Sequence, residues 1–406
     1  MQAYNDKQPA GVPLDPEAAK DIKLFQPITV KSVTFHNRIG VPPMCMYSSE
    51  DGALNDFHIM HYGKFALLGA GLVIIEATAV EPQGRITPRD SGLWKDEQIP
   101  ALKRVVDMIK SQGAVAGLQI AHAGRKASTA PPYMGDYVET EENGGWPDDV
   151  RAASDIPFAS HYPKPNALTE EGINEIVQKF ADTARRADQA GVEVLEIHSA
   201  HGYLLHNFLS GNSNKRTDKF GGSLENRMRF PLMVAKAVRQ VWPDHKPLWV
   251  RFSGSDLKNE GVLTKDPEGW DIDQATEYAR QLKAIGVDVM DCSSGGNLSN
   301  AVYPKGDLYQ VPLAEAIKRD AAVDVAAVGK IVDAHDAESV LRDNKADFCL
   351  VGREYLRDSS WALSACQELG AAVRWPKQYS WAVSGTRKAI KKQKEEEMKK
   401  EQEMKK

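Results

Sequence analysis

Apolar and polar positions along the chain follow two distinct periods. Runs rich in Val, Ile and Leu occupy residues 38–42, 72–77, 115–120, 192–197, 247–252, 287–291, 323–328 and 347–351. Each is five or six residues long and stops near Gly, Pro or a polar residue, the pattern of a parallel strand buried on both faces. Between them, apolar residues spaced three and four apart predict helices. Residues 100–112 carry Leu102, Val105, Val106 and Ile109 on one face, and 169–190 opens on Thr169-Glu170-Glu171 and stops before Gly191. Residues 273–285 stop before Gly286, and 333–342 form a fourth helix. Hydroxyl-and-acid starts and glycine stops satisfy the end groups that a helix leaves unpaired.

Eight strand runs, nearly all separated by helical segments, predict an α/β fold, either a doubly wound sheet or a (β/α)8 TIM barrel. No G-x-G-x-x-G follows the first run, which removes the main signal of the doubly wound alternative. The count of eight, with polar residues just beyond runs three, four, five, six and eight, favours the barrel. Residues 127–168 are rich in Pro, Gly, Asp and aromatics without periodicity, and are read as an insertion or small cap at the mouth; 254–273 is a second irregular stretch. The expected organisation is an N-terminal arm over 1–20, one barrel over 21–380 carrying the 127–168 insertion, and a C-terminal segment over 381–406.

Composition narrows the class. Hydrophobic residues make up 42%, enough to offset chain entropy and exclude disorder as the main state. No apolar run reaches the roughly 18 residues of a membrane span, and residues 1–7 lack a basic-then-apolar leader pattern. Cys45, Cys292, Cys349 and Cys366 are far apart, with no C-x-x-C pair, so neither a disulfide framework nor a structural zinc site is expected and the cytoplasm is the default location. The net charge of -5 hides an asymmetry: residues 387–406 hold nine basic residues against five glutamates, leaving 42 basic against 51 acidic residues elsewhere. An acidic body argues against nucleic acid as a partner.

In a barrel the residues at strand C-termini converge on one mouth. Here they are 42–47 (Pro-Pro-Met-Cys-Met-Tyr), 76–78 (Glu-Ala-Thr), 119–126 (Gln-Ile-Ala-His-Ala-Gly-Arg-Lys), 196–203 (Glu-Ile-His-Ser-Ala-His-Gly-Tyr), Arg251, 291–296 (Asp-Cys-Ser-Ser-Gly-Gly), Gly329 and Gly352-Arg353. Gly329, Gly352 and Arg353 fall where barrels bind phosphate, although a glycine can also simply end a strand. His198 and His201 would face opposite ways in a continuing strand; both reach the mouth only if the chain turns just after His198. Two imidazole N–H groups can hold a carbonyl oxygen, and Tyr203 can deliver a proton to a carbanion. A zinc pair is the rival reading, with no evident third ligand. Arg251 inside a barrel requires an anion: Glu196 or Asp291, or an anionic cofactor ring. Cys45 reads more readily as a small buried hydrophobe than as a working thiol, and a buried Tyr47 needs a hydrogen-bond partner.

From about Leu24 to Tyr379 the sequence resembles the old yellow enzyme family of FMN-dependent ene-reductases, most closely its thermophilic-like, YqjM-like branch. Six motifs in order carry the resemblance: Leu24-Phe-Gln-Pro-Ile with Asn37-Arg38 and Pro43-Met-Cys-Met-Tyr-Ser; the 119–126 and 196–203 stretches; residues 213–227 (Ser-Asn-Lys-Arg-Thr-Asp-Lys-Phe-Gly-Gly-Ser-Leu-Glu-Asn-Arg); Asp291-Cys-Ser-Ser-Gly; and Val351-Gly-Arg-Glu. The resemblance implies FMN on the barrel mouth, contacted by Pro42, Pro43, Met44, Cys45, Ala77, Gln119 and Arg251, with Gly329, Gly352 and Arg353 near its phosphate. It further implies His198 and His201 on the oxygen of an α,β-unsaturated carbonyl, Tyr203 as proton donor, Cys45 as a tuner of the flavin and Tyr47 as a substrate contact. The reductant is NADPH, with NADH as the variant, in a ping-pong cycle of the NADPH dehydrogenase type. Nitro or nitrate-ester reduction and enone isomerisation are alternatives on the same flavin barrel, and a non-catalytic scaffold is the distant one. The implied partners are a small activated alkene and further copies of the chain, as a homodimer or homotetramer in which Trp381 narrows a neighbour's pocket.

Overall fold

The computed structural model of the chain describes residues 8–135 and 137–383, together with Met398. Eight parallel strands close a barrel: β1 (Ile39–Val41), β2 (Leu72–Ala79), β3 (Val115–Ala121), β4 (Val194–Ser199), β5 (Leu248–Ser253), β6 (Val289–Ser293), β7 (Asp324–Val328) and β8 (Phe348–Leu350). Each pairs with the next, and β8 returns to β1, so no strand edge of the barrel is left open. All eight strand runs expected from the sequence are present. The ends differ by up to two residues, and the difference matters. The ladder of β4 starts at Val194 because the Val192 N–H is taken by Ala187 O in the preceding turn, and it runs on to Ser199. His198 therefore stands in the barrel wall, as do Ser253 and Ser293 at the ends of β5 and β6.

The crossover helices are α1 (Asp56–Leu67), α2 (Ile99–Ser111), α3 (Glu170–Gln189), α5 (Leu224–Val241), α6 (Ile272–Ile285), α7 (Val311–Ala321), α8 (Ala334–Arg342) and α10 (Trp361–Glu368), with short α4 (Leu204–Leu209) and α9 (Arg353–Arg357) following β4 and β8. The expected caps are in place. Thr169 Oγ1 accepts the Gly172 N–H at 3.1 Å to start α3, and Gly286, at φ +99°, ends α6. Helix α5 did not stand out in the sequence, because Pro231 interrupts its pattern; inside the helix the proline is buried against the barrel.

Strand alternation sorts the side chains. Leu195, Ile197, Val250, Phe252, Met290 and Cys292 point outward into the large cluster under the helices. Val194, Trp249 and Val289 point inward, into a smaller cluster at the N-terminal end of the barrel. That end is plugged by an antiparallel hairpin, Ile28–Val30 with Val33–Phe35, which the sequence reading missed. Its Phe35 ring lies 5.0 Å from Phe348 and 6.2 Å from Trp249. With one end sealed, ligands enter from the other. The N-terminal arm is stitched down beside it: Gly11 N–H donates to Arg374 O and Arg374 N–H to Val12 O.

The 127–168 segment has little structure of its own. It holds three-residue turns at Pro132–Met134, Glu141–Asn143 and Pro147–Asp149, and a two-residue parallel pair, Arg151–Ala152 with Asn166–Ala167. Ala127 and Val150 from this segment pack with Ala123, Trp146 and Tyr203 at the mouth. Among the described residues no helix is long and apolar enough to cross a membrane.

Truncating the plug should be expensive. Phe35→Ala is expected to lower unfolding stability by about 3–5 kcal/mol, the usual effect of emptying a fully buried aromatic site, read from denaturant midpoints. A loss under about 1 kcal/mol would mean that the hairpin does not seal the barrel.

Candidate active site

The site is built around a backbone turn. After Ser199 the chain leaves β4, and His201 and Gly202 take left-handed conformations, φ +58° and +72°. For a non-glycine residue this costs roughly 1–3 kcal/mol unless neighbours hold it. Four hydrogen bonds do so. Ser253 Oγ accepts the His201 N–H at 3.0 Å, His206 Nδ1 accepts the Gly202 N–H at 3.0 Å, and Lys126 Nζ donates to His201 O and Gly296 O at 3.0 and 3.1 Å. Gly202 also lies against the Gly296 backbone so closely that a Cβ would collide with the carbonyl. The turn brings both imidazoles together: the rings of His198 and His201 are 5.2 Å apart and near perpendicular, and Tyr203 lies 5.0 Å from His198. The turn that the sequence required is therefore present.

Hydrogen bonds and burial fix the proton states. His198 Nδ1 accepts the Ala200 N–H at 3.2 Å, so the neutral ring carries its proton on Nε2. Burial, then the charge of Arg251, pushes the His198 and His201 pKa values well below the usual histidine range, and both rings are neutral donors at neutral pH. His201 Nε2 is 2.6 Å from Ser293 Oγ, which leaves Nδ1 as its uncommitted ring nitrogen. Burial holds the Tyr203 and Tyr47 phenols above the ordinary tyrosine value, so both keep their protons.

Deeper in the mouth lies a charged layer. Gln119 Nε2 donates to Glu196 Oε1 at 2.7 Å, and Arg251 Nε is 3.2 Å from Asp291 Oδ2. Burial raises both carboxyls, Glu196 further because of the Asp291 charge beside it, so Glu196 takes the proton and Asp291 the negative charge. Asp291 thus answers part of the demand that Arg251 makes for an anion. The pair is not aligned as a hydrogen bond, however, and Arg251 Nε remains a buried donor without an acceptor.

Strand β1 leads into Pro42, Pro43, Met44 and Cys45 at the rim. The Cys45 thiol is pushed up by burial and by the nearby Asp90 and Glu76, so it stays protonated. Glu76 carries the segment: its Oε1 accepts the Met46 N–H at 3.2 Å and its Oε2 the Tyr62 hydroxyl at 2.8 Å, and burial lifts its pKa to about 7. Tyr47 follows with φ +52°. Across the mouth, Gly329 has φ +110° with Gln310 packed where a side chain would go. At Gly352 a Cβ would meet only Pro42 Cγ at 3.5 Å and Met44 Sδ at 3.7 Å, which makes this an open backbone cradle that a side chain would fill. Arg353 is exposed beside it and forms no ion pair among the described residues. An apolar rim, an unmatched buried arginine donor and a glycine cradle next to a free arginine fit a flat, anionic, phosphate-bearing group such as FMN. Among the described residues no three His, Cys, Asp or Glu side chains are gathered as for a metal ion.

A family model described as NADH:flavin oxidoreductase / NADH oxidase matches residues 23–371. The chain belongs to that family, the old yellow enzyme group. It is an FMN-dependent oxidoreductase working with a reduced nicotinamide. A protein of Listeria monocytogenes named NADPH dehydrogenase is 44% identical over 89% of this chain and 99% of its own. A Gibberella zeae protein named NADH:flavin oxidoreductase is 42% identical over 92% of each chain. Among solved structures, morphinone reductase superposes with a TM-score of 0.70 at 26% identity, over 88% of this chain and 92% of its own.

Of the residues singled out from sequence, the turn collects His198, His201 and Tyr203, and the charged layer holds Gln119 and Arg251. Ala77 ends up in β2, on the wall of a small cavity that Tyr203 also lines. Trp381 is 77% exposed; the charged tail at 387–406 lies outside the described residues apart from Met398. Sequence reasoning placed Glu76 and Ser293 at the mouth without giving them a role, and it missed Ser253. Ser253 and Ser293 stand two positions beyond Arg251 and Asp291, so strand alternation alone puts them on the inner face.

Because folding raises the Glu76 pKa from 4.5 to about 7, the folded state binds the extra proton between those values, and this group's contribution to stability falls as pH rises through that window. Glu76→Gln is therefore expected to flatten the pH dependence of the denaturation midpoint between pH ~5 and ~8. Parallel curves for the two proteins would show that Glu76 does not titrate there.

Proposed function

We propose that the protein reduces the C=C bond of α,β-unsaturated carbonyl compounds, with NADPH as reductant and FMN as carrier. The observation that carries this reading is the trio at the turn: two neutral imidazoles 5.2 Å apart beside a phenol that burial keeps protonated.

Pro42, Pro43, Met44, Cys45, Ala77, Gln119 and Arg251 would hold the flavin ring, and Gly329, Gly352 and Arg353 its phosphate. Bound FMN would supply the two-electron chemistry, relaying hydride between the nicotinamide and the substrate β-carbon. His198 donates its Nε2–H to the substrate carbonyl oxygen, and His201 donates from the ring nitrogen that Ser293 leaves free. As the hydride arrives, negative charge grows on that oxygen, and each such donor is worth about 2.7–4 kcal/mol of barrier. Neutral donors suit the task, since they stabilise the developing charge without a fixed positive charge on the substrate oxygen. Tyr203 would deliver its phenolic proton to the α-carbon from the face away from the bound FMN and recover it from water. Hydride and proton together saturate the bond. The Cys45 thiol would lie against the flavin and tune it, while Tyr47 would line the substrate side. In an oligomer Trp381, exposed on its own chain, borders a neighbour's pocket.

Tyr203→Phe separates this reaction from nitro or nitrate-ester reduction on the same flavin. Losing the proton donor should lower enone turnover by about 10²- to 10⁴-fold, and nitrate-ester reduction, which needs no carbon protonation, far less. Equal losses in NADPH-driven steady-state assays would remove Tyr203 from the proton-transfer step.

A further inference from the structure

The 127–168 segment brings aromatic rings to the mouth from two directions. Tyr133, on the turn Pro132–Met134, lies with its ring 6.3 Å from that of Tyr47 at 67°, and its hydroxyl donates to the Tyr47 carbonyl at 3.3 Å. It belongs to no core cluster and is 69% exposed, so most of its ring is open. Phe158 and Tyr162 stand together, rings 5.0 Å apart and edge to face. Lys126 Nζ joins them to the catalytic turn, 4.5 Å above the Phe158 ring and 5.1 Å from that of Tyr203. Tyr47 and Tyr162 both lie within electrostatic reach of the Tyr203 phenol. Rings from one inserted segment thus flank Tyr203 on the side of Tyr47 and on the side of Lys126.

We propose that Tyr133, with Phe158 and Tyr162, is a specificity wall that receives the ring of an aryl-substituted α,β-unsaturated carbonyl compound whose carbonyl end reaches His198 and His201. The inference rests on the ene-reductase reading above and names its substrate class. Aromatic rings pack against one another edge to face or offset, which favours an aryl substituent over an alkyl one of similar reach. The ammonium group of Lys126 on the rim adds attraction for a ring face. A small enone binds beneath the wall and never reaches Tyr133, whereas an aryl enone spans both.

The test compares benzylideneacetone with ethylideneacetone, the same ketone carrying phenyl or methyl at the β-carbon. The FMN-loaded protein, Tyr133→Ala and Tyr133→Phe are assayed for KM with NADPH. The dissociation constant of each ketone is measured separately on the oxidised protein from the shift of the flavin bands. Tyr133→Ala should raise KM and Kd for benzylideneacetone about three- to tenfold more than for ethylideneacetone. Tyr133→Phe, which keeps the ring and loses the hydroxyl, should hold the wild-type ratio. A ratio unchanged in Tyr133→Ala overturns the wall. A ratio changed equally in Tyr133→Phe also overturns it, because the hydroxyl on Tyr47 would then be the active element. If NADPH bleaches the flavin but neither ketone is turned over, the ene-reductase reading fails, and the Kd ratio alone decides the wall.

Discussion

The left-handed turn at His201 is the constraint on which the site depends. A strand alternates its side chains, so two histidines three positions apart cannot share a face unless the backbone leaves the strand between them. Leaving it here means φ +58° at a β-carbon-bearing residue. The restraint comes mainly from elements distant in sequence, Ser253 on β5, Lys126 after β3 and the Gly295-Gly296 loop after β6, with His206 on the adjoining α4 closing the turn locally. Four hydrogen bonds at about 0.5–1.5 kcal/mol each outweigh a strain of about 1–3 kcal/mol. The turn is thus a product of barrel closure, and no isolated peptide of this sequence would hold it.

Burial then sets the charges. The same desolvation that keeps His198 and His201 neutral keeps Tyr203 protonated and puts one proton on the Glu196–Asp291 pair. The mouth accordingly presents N–H and O–H donors at its top and one arginine cation beneath. Such a surface favours a group that is electron-rich on its oxygen, and it holds each proton where a reducing step needs it. Ser253 and Ser293 link the two levels, since each follows a charged residue of its strand by two positions and hydrogen-bonds to His201.

Much of this was legible in the chain. Runs of five or six β-branched and apolar residues mark strands because a barrel wall is buried on both faces, and eight of them define the closure. The His198–His201 spacing stated its own condition, a turn, and the fold meets it. Other features were hidden for physical reasons. The plug hairpin is only three residues per strand, too short for a period to register, and the interior proline masked α5. Strand ends were misjudged because Ser199, Ser253 and Ser293 are polar residues that continue a ladder, and polar residues read as loop. Glu76 was placed at the mouth without a role; its partners Tyr62 and Met46 come from α1 and the β1 rim, a contact that no local pattern encodes. Aperiodic sequence in 127–168 correctly announced a segment without regular structure but not where its rings would point.

The central claim is that hydride and proton arrive on opposite faces of one double bond, the first from the flavin side and the second from Tyr203. It is tested most directly by reducing a cyclic α,β-disubstituted enone with NADPH in deuterium oxide and reading the product by NMR. The account requires solvent deuterium at the α-carbon, trans to the hydrogen added at the β-carbon. Cis addition, or an α-carbon without solvent deuterium, would contradict it.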